Sequence, residues 1–462
     1  YQTKKRGRSA PFFVMEKTMP VREGNLEAPR RQPIDWQSDS YVDHDDVDAE
    51  LERVFEICHG CRRCVSLCNA FPTLFDLVDD SHTLEVDGVE RSDYGKVVDQ
   101  CYLCDLCAET KCPYLPPHEW AVDFPHLMLR AKARKFVETG ASWRDRLISS
   151  TGDLFKVGSL PAAAPIMNLI QRNKPLRKLG ERVAGIHAEA PLPHFNRQTL
   201  NRRVDGEIGT DLEIRPGSNT TGKVAIYVTC YGNHSEPDVV QALIRVLIHN
   251  GVPVRILKNS QCCGMAKFEL GDLSAVAVQK AKNLPVFMQA IDDGYDLMSI
   301  VPSCTLMYRQ EIPFMFPEDD DVMKVKAAFF DPFEFLLSRY KDDLACVDFV
   351  EPLGDVAYHA ACHQRVQNIG QKTREFLSLV PDTEVSIIER CSGHDGTYAV
   401  KKETHEAAMK IAGPVIRQVT QADANTYGSD CPMAGRLIQH GKDDGSQSEH
   451  PIEMLSRAYG LV

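Results

Sequence analysis

Several things are missing from this 462-residue chain, and each absence removes a class of function. It has no run of 18 apolar residues, so no helix is expected to span a bilayer. It has no Walker phosphate loop, and its scattered glycines make no GxGxxG fingerprint. Flavin or nicotinamide chemistry, if required, would therefore come from another chain. No nucleophile stands at a readable spacing from a base, so no catalytic residue is assigned. The first thirty residues are polar and lack the apolar core of a secretory signal. The chain opens on Tyr1 instead of Met, which leaves a preceding leader open.

Charge narrows the choice further. From Tyr1 to Arg31 there are eight Lys or Arg against three Glu, within a net charge of -12, so the remainder carries -17. A basic arm on an acidic body reads as a solvated tail, less often as a strap onto a partner or an anionic surface. The acidic body would repel phosphate, which argues against nucleic acid. Hydrophobic residues make up 43% and charged residues 26%, as in an ordinary soluble globular protein long enough for two to four domains.

What is present is cysteine, 16 of them and bunched. Such bunching in a large chain points to metal ligation in a reducing compartment instead of structural disulfides. Residues 58 to 68 read CHGCRRCVSLC and residues 101 to 113 read CYLCDLCAETKCP. Three thiols at x2 spacing with a distant fourth suit a cubane iron–sulfur cluster whose fourth ligand comes from the neighbouring motif, whereas zinc wants two pairs. The spacing assigns Cys58, Cys61, Cys64 and Cys112 to one 4Fe-4S cluster, and Cys101, Cys104, Cys107 and Cys68 to a second. The x4 step before Cys112, and Asn69 instead of Pro after Cys68, depart from the usual run.

The surroundings predict a helical frame. DHDDVDAELERVFEI places acids in a first turn and Val47, Leu51, Val54 and Phe55 at helical spacing. Residues 79–96 read as a polar loop or insertion, and 118–140 as a helix interrupted near Pro125. Residues 141–220 read as a connector whose mixed charge offers no clean amphipathic membrane anchor.

Beyond 220 the pattern alternates strand and helix, twice. Cys230, Cys262 and Cys304 recur as Cys362, Cys391 and Cys431 at offsets of 132, 129 and 127. Two related α/β lobes are expected, each gathering cysteines from three strand ends into one cup. The first cup holds Cys230, Cys262, Cys263 and Cys304. The second holds only Cys362, Cys391 and Cys431, with Ser392 where the first has Cys263. His359 and His363 read as hydrogen-bonded structural residues, Cys346 as a structural thiol, and Arg309 as half of a surface ion pair. His394 is the better candidate for an altered ligand. Gly264 reads as a residue that lets the backbone turn closely around a cluster.

The doubled C…CCG…C pattern behind two ferredoxin motifs resembles the CCG-domain iron–sulfur oxidoreductases, among them heterodisulfide reductase B-type subunits, the C subunit of anaerobic glycerol-3-phosphate dehydrogenase and the iron–sulfur subunit of glycolate oxidase. QCCGMAKFELGD, PSCTLMYRQE, YHAACHQR, GTYAVKKE and HPIEMLSRAYG carry the resemblance, over residues 50 to 460. It implies an electron-transfer subunit, with a flavoprotein partner and a quinone, disulfide or other acceptor, and iron–sulfur clusters in the CCG lobes. The family's CxxC ending is incomplete here, with Ala434 in the second lobe's last position. A third cluster is expected in the first cup, and a modified cluster or metal in the second.

The expected fold is thus α+β and α/β: a basic arm over 1–40, a helical ferredoxin-type domain with two 4Fe-4S clusters over 41–140, a connector over 141–220, a first CCG lobe over 221–345 and a second, degenerate one over 346–462. The expected function is single-electron relay within an oxidoreductase complex, in the cytoplasm or peripherally at the inner face of the membrane, as a hetero- or homo-oligomer. Two rivals are a catalytic reductase whose cup reduces a disulfide, quinone or other small oxidant, and a second lobe that is only a docking scaffold.

Overall fold

The computed structural model describes residues 29–109, 112–204 and 206–461. Most of the basic arm, through residue 28, lies outside the described residues. The stretch from residue 29 onward is packed, not a tail: Arg30 donates its N–H to the Pro116 carbonyl and Ile34 donates to Phe314. Arg31, by sequence one of the arm's solvated charges, is buried, with 1% of its side chain exposed. Its Nε lies 2.8 Å from Asp123 and its Nη1 2.5 Å from Asp105.

The helical part begins with His44–Cys61, opened by the Asp43 carboxylate, which accepts the Asp46 N–H, with Asp45 and Asp46 in the first turn. Its buried face is Val47, Leu51, Val54 and Phe55. Each buried side chain contributes roughly 1.5–3 kcal/mol of transfer free energy. The expected loop over 79–96 is only partly one. Helix Ala70–Asp79 precedes it, short 3-10 turns cross it, and helix Tyr94–Gln100 closes it. The helix expected over 118–140 is not interrupted at Pro125. It starts there, as Phe124–Thr139, with Asp123 accepting the His126 N–H. Proline in the first turn forfeits no intrahelical hydrogen bond, so it marks an N-terminus.

Among the described residues the connector supplies five short helices, Trp143–Ser149, Thr151–Gly158, Ala163–Arg172, Lys174–Ala184 and Leu200–Arg203, and then strand β1 (Glu207–Ile208). β1 pairs antiparallel with β3 (Val254–Ile256), extending the first lobe's parallel β2 (Val224–Ile226), β4 (Asp296–Met298) and β5 (Phe329–Phe330) in the order β1-β3-β2-β4-β5. The second lobe has a parallel sheet β7-β6-β8, built from β6 (Gly354–His359), β7 (Thr383–Ile388) and β8 (Thr426–Ser429). Continuous apolar runs such as Val224–Ile226, buried on both faces, are the mark of such parallel strands.

The connector helices are also where apolar side chains meet solvent. Ten of the eighteen exposed large hydrophobic residues among the described residues fall between Trp143 and Val183, Leu169 and Val183 being 65% and 68% exposed. Residues 143–184 carry eight Lys or Arg against three acids. An amphipathic, basic surface therefore exists where the mixed charge of the sequence suggested none. The apolar positions come together only once the helices are folded side by side.

Arg31 ties three elements through Asp105 of the second cysteine loop, Asp123 at a helix start, and Glu311, a carboxylate beside it. Replacing it with Met would leave buried carboxylates without their counter-charge. A loss of ~3–5 kcal/mol is expected, read as a lowered midpoint in anaerobic urea unfolding. An unchanged midpoint would show that the pin is not structural.

Candidate metal centres

No cysteine is paired in a disulfide. The thiols of the two N-terminal knots are distributed by the ends of helices. Cys58 and Cys61 ride the last turn of His44–Cys61, which Arg62 closes in the left-handed region (φ 50°). Leu103 and Asp105 also have positive φ, at 55° and 61°, so the loop curls around Cys104.

The electrostatic neighbours of Cys58 are Cys112, Cys64 and Cys61. Those of Cys107 are Cys101 and Cys104, then Cys64 and Cys68. Cys68 faces Cys101, and beyond it Cys391 of the second lobe. The fourth thiol of each knot thus stands with the other knot's triplet. The structure brings the two knots together, with Cys64 also beside Cys107.

Burial pushes the Cys58, Cys68, Cys104 and Cys107 thiols well up, and Cys101 up to about 11, because a thiolate loses hydration there. Yet the sulfurs are offered donors. Cys68, Cys101, Cys104, Cys112, Cys262, Cys391 and Cys431 each receive the backbone N–H of the residue two positions on, from Ala70, Leu103, Leu106, Tyr114, Gly264, Gly393 and Met433. Backbone shaped to donate to sulfur, in a place that disfavours free thiolate, is what bound iron needs: its positive charge offsets the lost hydration, and the N–H groups tune the sulfur. Among the described residues no three His, Cys, Asp or Glu side chains converge tightly enough to grip a single ion. Thiols held apart by an iron–sulfide core need not converge.

In the first lobe Cys230 opens the helix Cys230–His234, Cys262 and Cys263 lie in the loop after β3, and Cys304 lies within the helix Pro302–Leu306. The expectation of thiols at strand ends is corrected by a few residues. β4 stops at Met298, and the cysteines sit where the following helices begin. Sulfur contacts run from Cys230 to Cys262 (3.9 Å), to Cys263, and to Cys304. Thr151 of the connector places its Oγ1 3.3 Å from the Cys262 sulfur. No local motif marked it.

In the second lobe Cys362 opens the helix Cys362–Arg365, Cys391 follows β7, and Cys431 caps Pro432–Lys442. The Cys362 thiol donates to Cys391, which also receives the Gly393 N–H at 3.3 Å. These contacts hold Cys391 down, to about 6. The Asp395 carboxyl, pushed well up by burial and then by Cys391, stands 3.4 Å from that sulfur. Gly264 (φ 93°) and Gly393 (φ 73°) give both cysteine turns a left-handed residue, and at Gly393 a Cβ would meet the Ala408 carbonyl at 2.2 Å. Tyr102, inside the CYLC loop, reaches 3.9 Å from the Cys391 sulfur and packs edge-on to Tyr398.

His359 uses both ring nitrogens, bonding Ser429 Oγ at 2.9 Å and the Arg390 carbonyl at 2.8 Å, so its role is structural. His363 and His394 each keep a buried Nε2 with no hydrogen-bond partner. Burial lowers both imidazoles to about 4. Arg309 pairs with Glu334. Cys346 is half-buried and lines neither cup.

Both cups open on one cavity of about 400 Å³. Its lining includes Cys230, Cys262, Cys263 and Cys304 of the first lobe, Cys362, Cys431 and His394 of the second, and connector residues such as Leu147, Leu154, Phe155 and Ile170.

The family model for the cysteine-rich CCG domain matches residues 224–309 and 356–433. The chain is 27% identical over 338 residues to the C subunit of anaerobic glycerol-3-phosphate dehydrogenase from Escherichia coli strain K12, covering 72% of this chain and 81% of that protein. It is 29% identical over 245 residues to lactate utilization protein A of Bacillus pumilus, covering 51% of this chain and 99% of that one. It is 26% identical over 269 residues to the B subunit of fumarate reductase (CoM/CoB) from Methanothermobacter marburgensis, covering 56% and 50%.

The quartets can be checked by paired variants. Cys112→Ser is expected to perturb the same EPR signal as Cys58→Ser, and Cys68→Ser the same signal as Cys101→Ser. If Cys112→Ser instead follows Cys101→Ser, the cross-over is wrong.

Proposed function

We infer, from two lobes that match the cysteine-rich CCG domain and from the likeness to the C subunit of anaerobic glycerol-3-phosphate dehydrogenase, that this chain is a relay passing single electrons through a fixed series of centres. In this reading Cys58, Cys61, Cys64 and Cys112 hold one 4Fe-4S cluster and Cys101, Cys104, Cys107 and Cys68 a second. Cys230, Cys262, Cys263 and Cys304 hold a third centre. Cys362, Cys391 and Cys431 hold a modified one, for which His394 is a candidate ligand. In the same reading the segments are the basic arm over 1–40, the ferredoxin-type part over 41–140, the connector over 141–220, and lobes over 221–345 and 346–462.

The observation that carries this reading is the continuity of thiols. Cys64 neighbours Cys107, and Cys68 and Cys104 neighbour Cys391, so the two quartets and the second lobe's thiols form one run, while the first lobe's thiols share a cavity lining with the second lobe's. A relay with this order takes electrons from a partner at the first quartet and delivers them through Tyr102 and Cys104 to the second lobe. A flavoprotein dehydrogenase suits the donor's role, since nothing in this chain holds a two-electron cofactor motif and something must divide electron pairs into single electrons.

The shared cavity favours a second reading, in which the cups reduce a disulfide, quinone or other small oxidant lying between them. An apolar space bordered by two redox centres could present an acceptor to both. For location, unbridged cysteines suit a reducing compartment. Among the described residues no helix is long and apolar enough to cross a membrane. The exposed apolar ridge of residues 143–183, flanked by Arg172, Lys174, Lys178 and Arg182, fits the surface of an anionic bilayer.

Iron and sulfide analysis of anaerobically prepared protein is expected to give about sixteen irons for four cubanes, and about twelve if the second cup holds none. About eight would mean both cups are empty and would overturn the relay beyond the ferredoxin part. Chemically reduced protein is expected to become oxidised only stoichiometrically by a disulfide if it is a relay. Steady turnover would instead establish the second reading. Separately, the chain is expected to sediment with vesicles containing phosphatidylglycerol, and a Leu169→Glu, Val183→Glu variant to stay in solution. Equal partition of both proteins would remove the membrane assignment.

A further inference from the structure

The two lobes can be compared position by position through their shared register. Cys230 corresponds to Cys362, Cys262 to Cys391 and Gly264 to Gly393, each pair at the same point of its turn or helix, while the third thiol shifts: Cys431 caps its helix where Val301 caps the first lobe's, and Ala434 takes the place of Cys304. Three neighbouring positions change. Tyr231 becomes His363, Cys263 becomes Ser392, and Met265 becomes His394. The second cup loses one thiol and gains two imidazoles, both on the wall of the cavity.

The imidazoles are not serving the fold. His363 Nε2 and His394 Nε2 are buried and have no hydrogen-bond partner, and the two rings are electrostatic neighbours. A buried bare ring nitrogen is costly unless something binds it. His363 is the better defined of the two. Its other ring nitrogen donates to the backbone carbonyl of Leu103, inside the CYLC loop. That bond leaves the lone pair on Nε2, the arrangement by which backbone carbonyls orient metal-bound imidazoles. Ser392, by contrast, is occupied locally, its Oγ 3.4 Å from the His394 N–H.

We propose that the second-lobe centre is a mixed thiolate–imidazole iron–sulfur cluster, in which nitrogen from the His363–His394 pair completes the set begun by Cys362, Cys391 and Cys431. The proposal rests on the reading that this cup holds iron at all. Replacing an anionic thiolate with a neutral imidazole removes one negative charge from the cluster and raises its reduction potential. The second lobe is then the more oxidising of the two, and electrons arriving through Tyr102 come to rest there.

The full chain, prepared anaerobically with ⁵⁷Fe and ¹⁵N-histidine, tests this. The second-lobe centre is identified as the iron that Cys391→Ser removes in Mössbauer spectra, and its paramagnetic state is probed by ENDOR. A ¹⁵N hyperfine coupling on that centre is expected. It should vanish in the double variant His363→Tyr, His394→Met, which restores the residues the first lobe tolerates at these positions, while the ferredoxin signals stay unchanged. Adding Ser392→Cys to that double variant is expected to rebuild an all-thiolate centre of lower potential. A second-lobe centre with no nitrogen coupling, or with a coupling that survives the double variant, overturns the proposal and leaves the relay intact. If Cys391→Ser removes no iron, the occupied second cup is wrong and this proposal falls with it.

Discussion

Most of this molecule is arranged to keep sulfur away from water while keeping it anionic. Those two demands oppose one another: a buried thiolate is disfavoured by desolvation, which pushes the Cys58, Cys104 and Cys107 thiols well up. Backbone N–H groups two residues on supply only partial charge. Bound iron would supply the rest. The left-handed residues Arg62, Leu103, Asp105, Gly264 and Gly393 follow from the same need, because each bends the chain so that successive groups face a common point. The sheets and helices beneath them hold the ends of these loops at fixed separation.

The duplication of the lobes has not kept them equal. The first cup is all thiol and joined sulfur to sulfur. The second has three thiols, a carboxyl at Asp395 and a direct contact to the N-terminal cysteine loops through Tyr102. Cluster potentials follow net charge, hydrogen bonding and solvent exposure, so clusters held in two cups that differ in ligand charge and hydrogen bonding would not be isopotential. A relay benefits from that inequality. Centres of graded potential give electrons a downhill direction that identical cups would not.

Much of this was legible in the sequence, for reasons that are local. Thiols at x2 spacing need only one turn of chain, and Val47, Leu51, Val54 and Phe55 declare a buried stripe by their period alone. The repeat of lobes could be read from three cysteine offsets. What escaped was non-local or two-valued. Pro125 can break a helix or begin one, and only the Asp123 cap decides. Arg31 counts as a tail charge until Asp105 and Asp123, 74 and 92 positions away, close around it. β1 is a two-residue strand that exists because β3 offers it an edge. Thr151 and Tyr102 became site residues through contacts 111 and 289 positions long. His363 looked like a satisfied structural histidine, and half of it is: the Leu103 bond is there, but the other nitrogen is bare.

The connector bears on the direction of flow. Its helices turn Leu147, Leu154 and Phe155 toward the cavity and Leu169, Leu179 and Val183 toward solvent, so one layer walls the cups and faces outward. An apolar wall along two cysteine cups excludes water and strengthens every electrostatic difference between them. The unequal charge of the two cups is therefore felt most inside this space, and least where the ferredoxin loops meet solvent. An acceptor entering the cavity would meet both the more oxidising centre and the all-thiol centre. The second centre would set where a single electron waits. The first, sharing the cavity, would be placed to supply the electron that completes a pair.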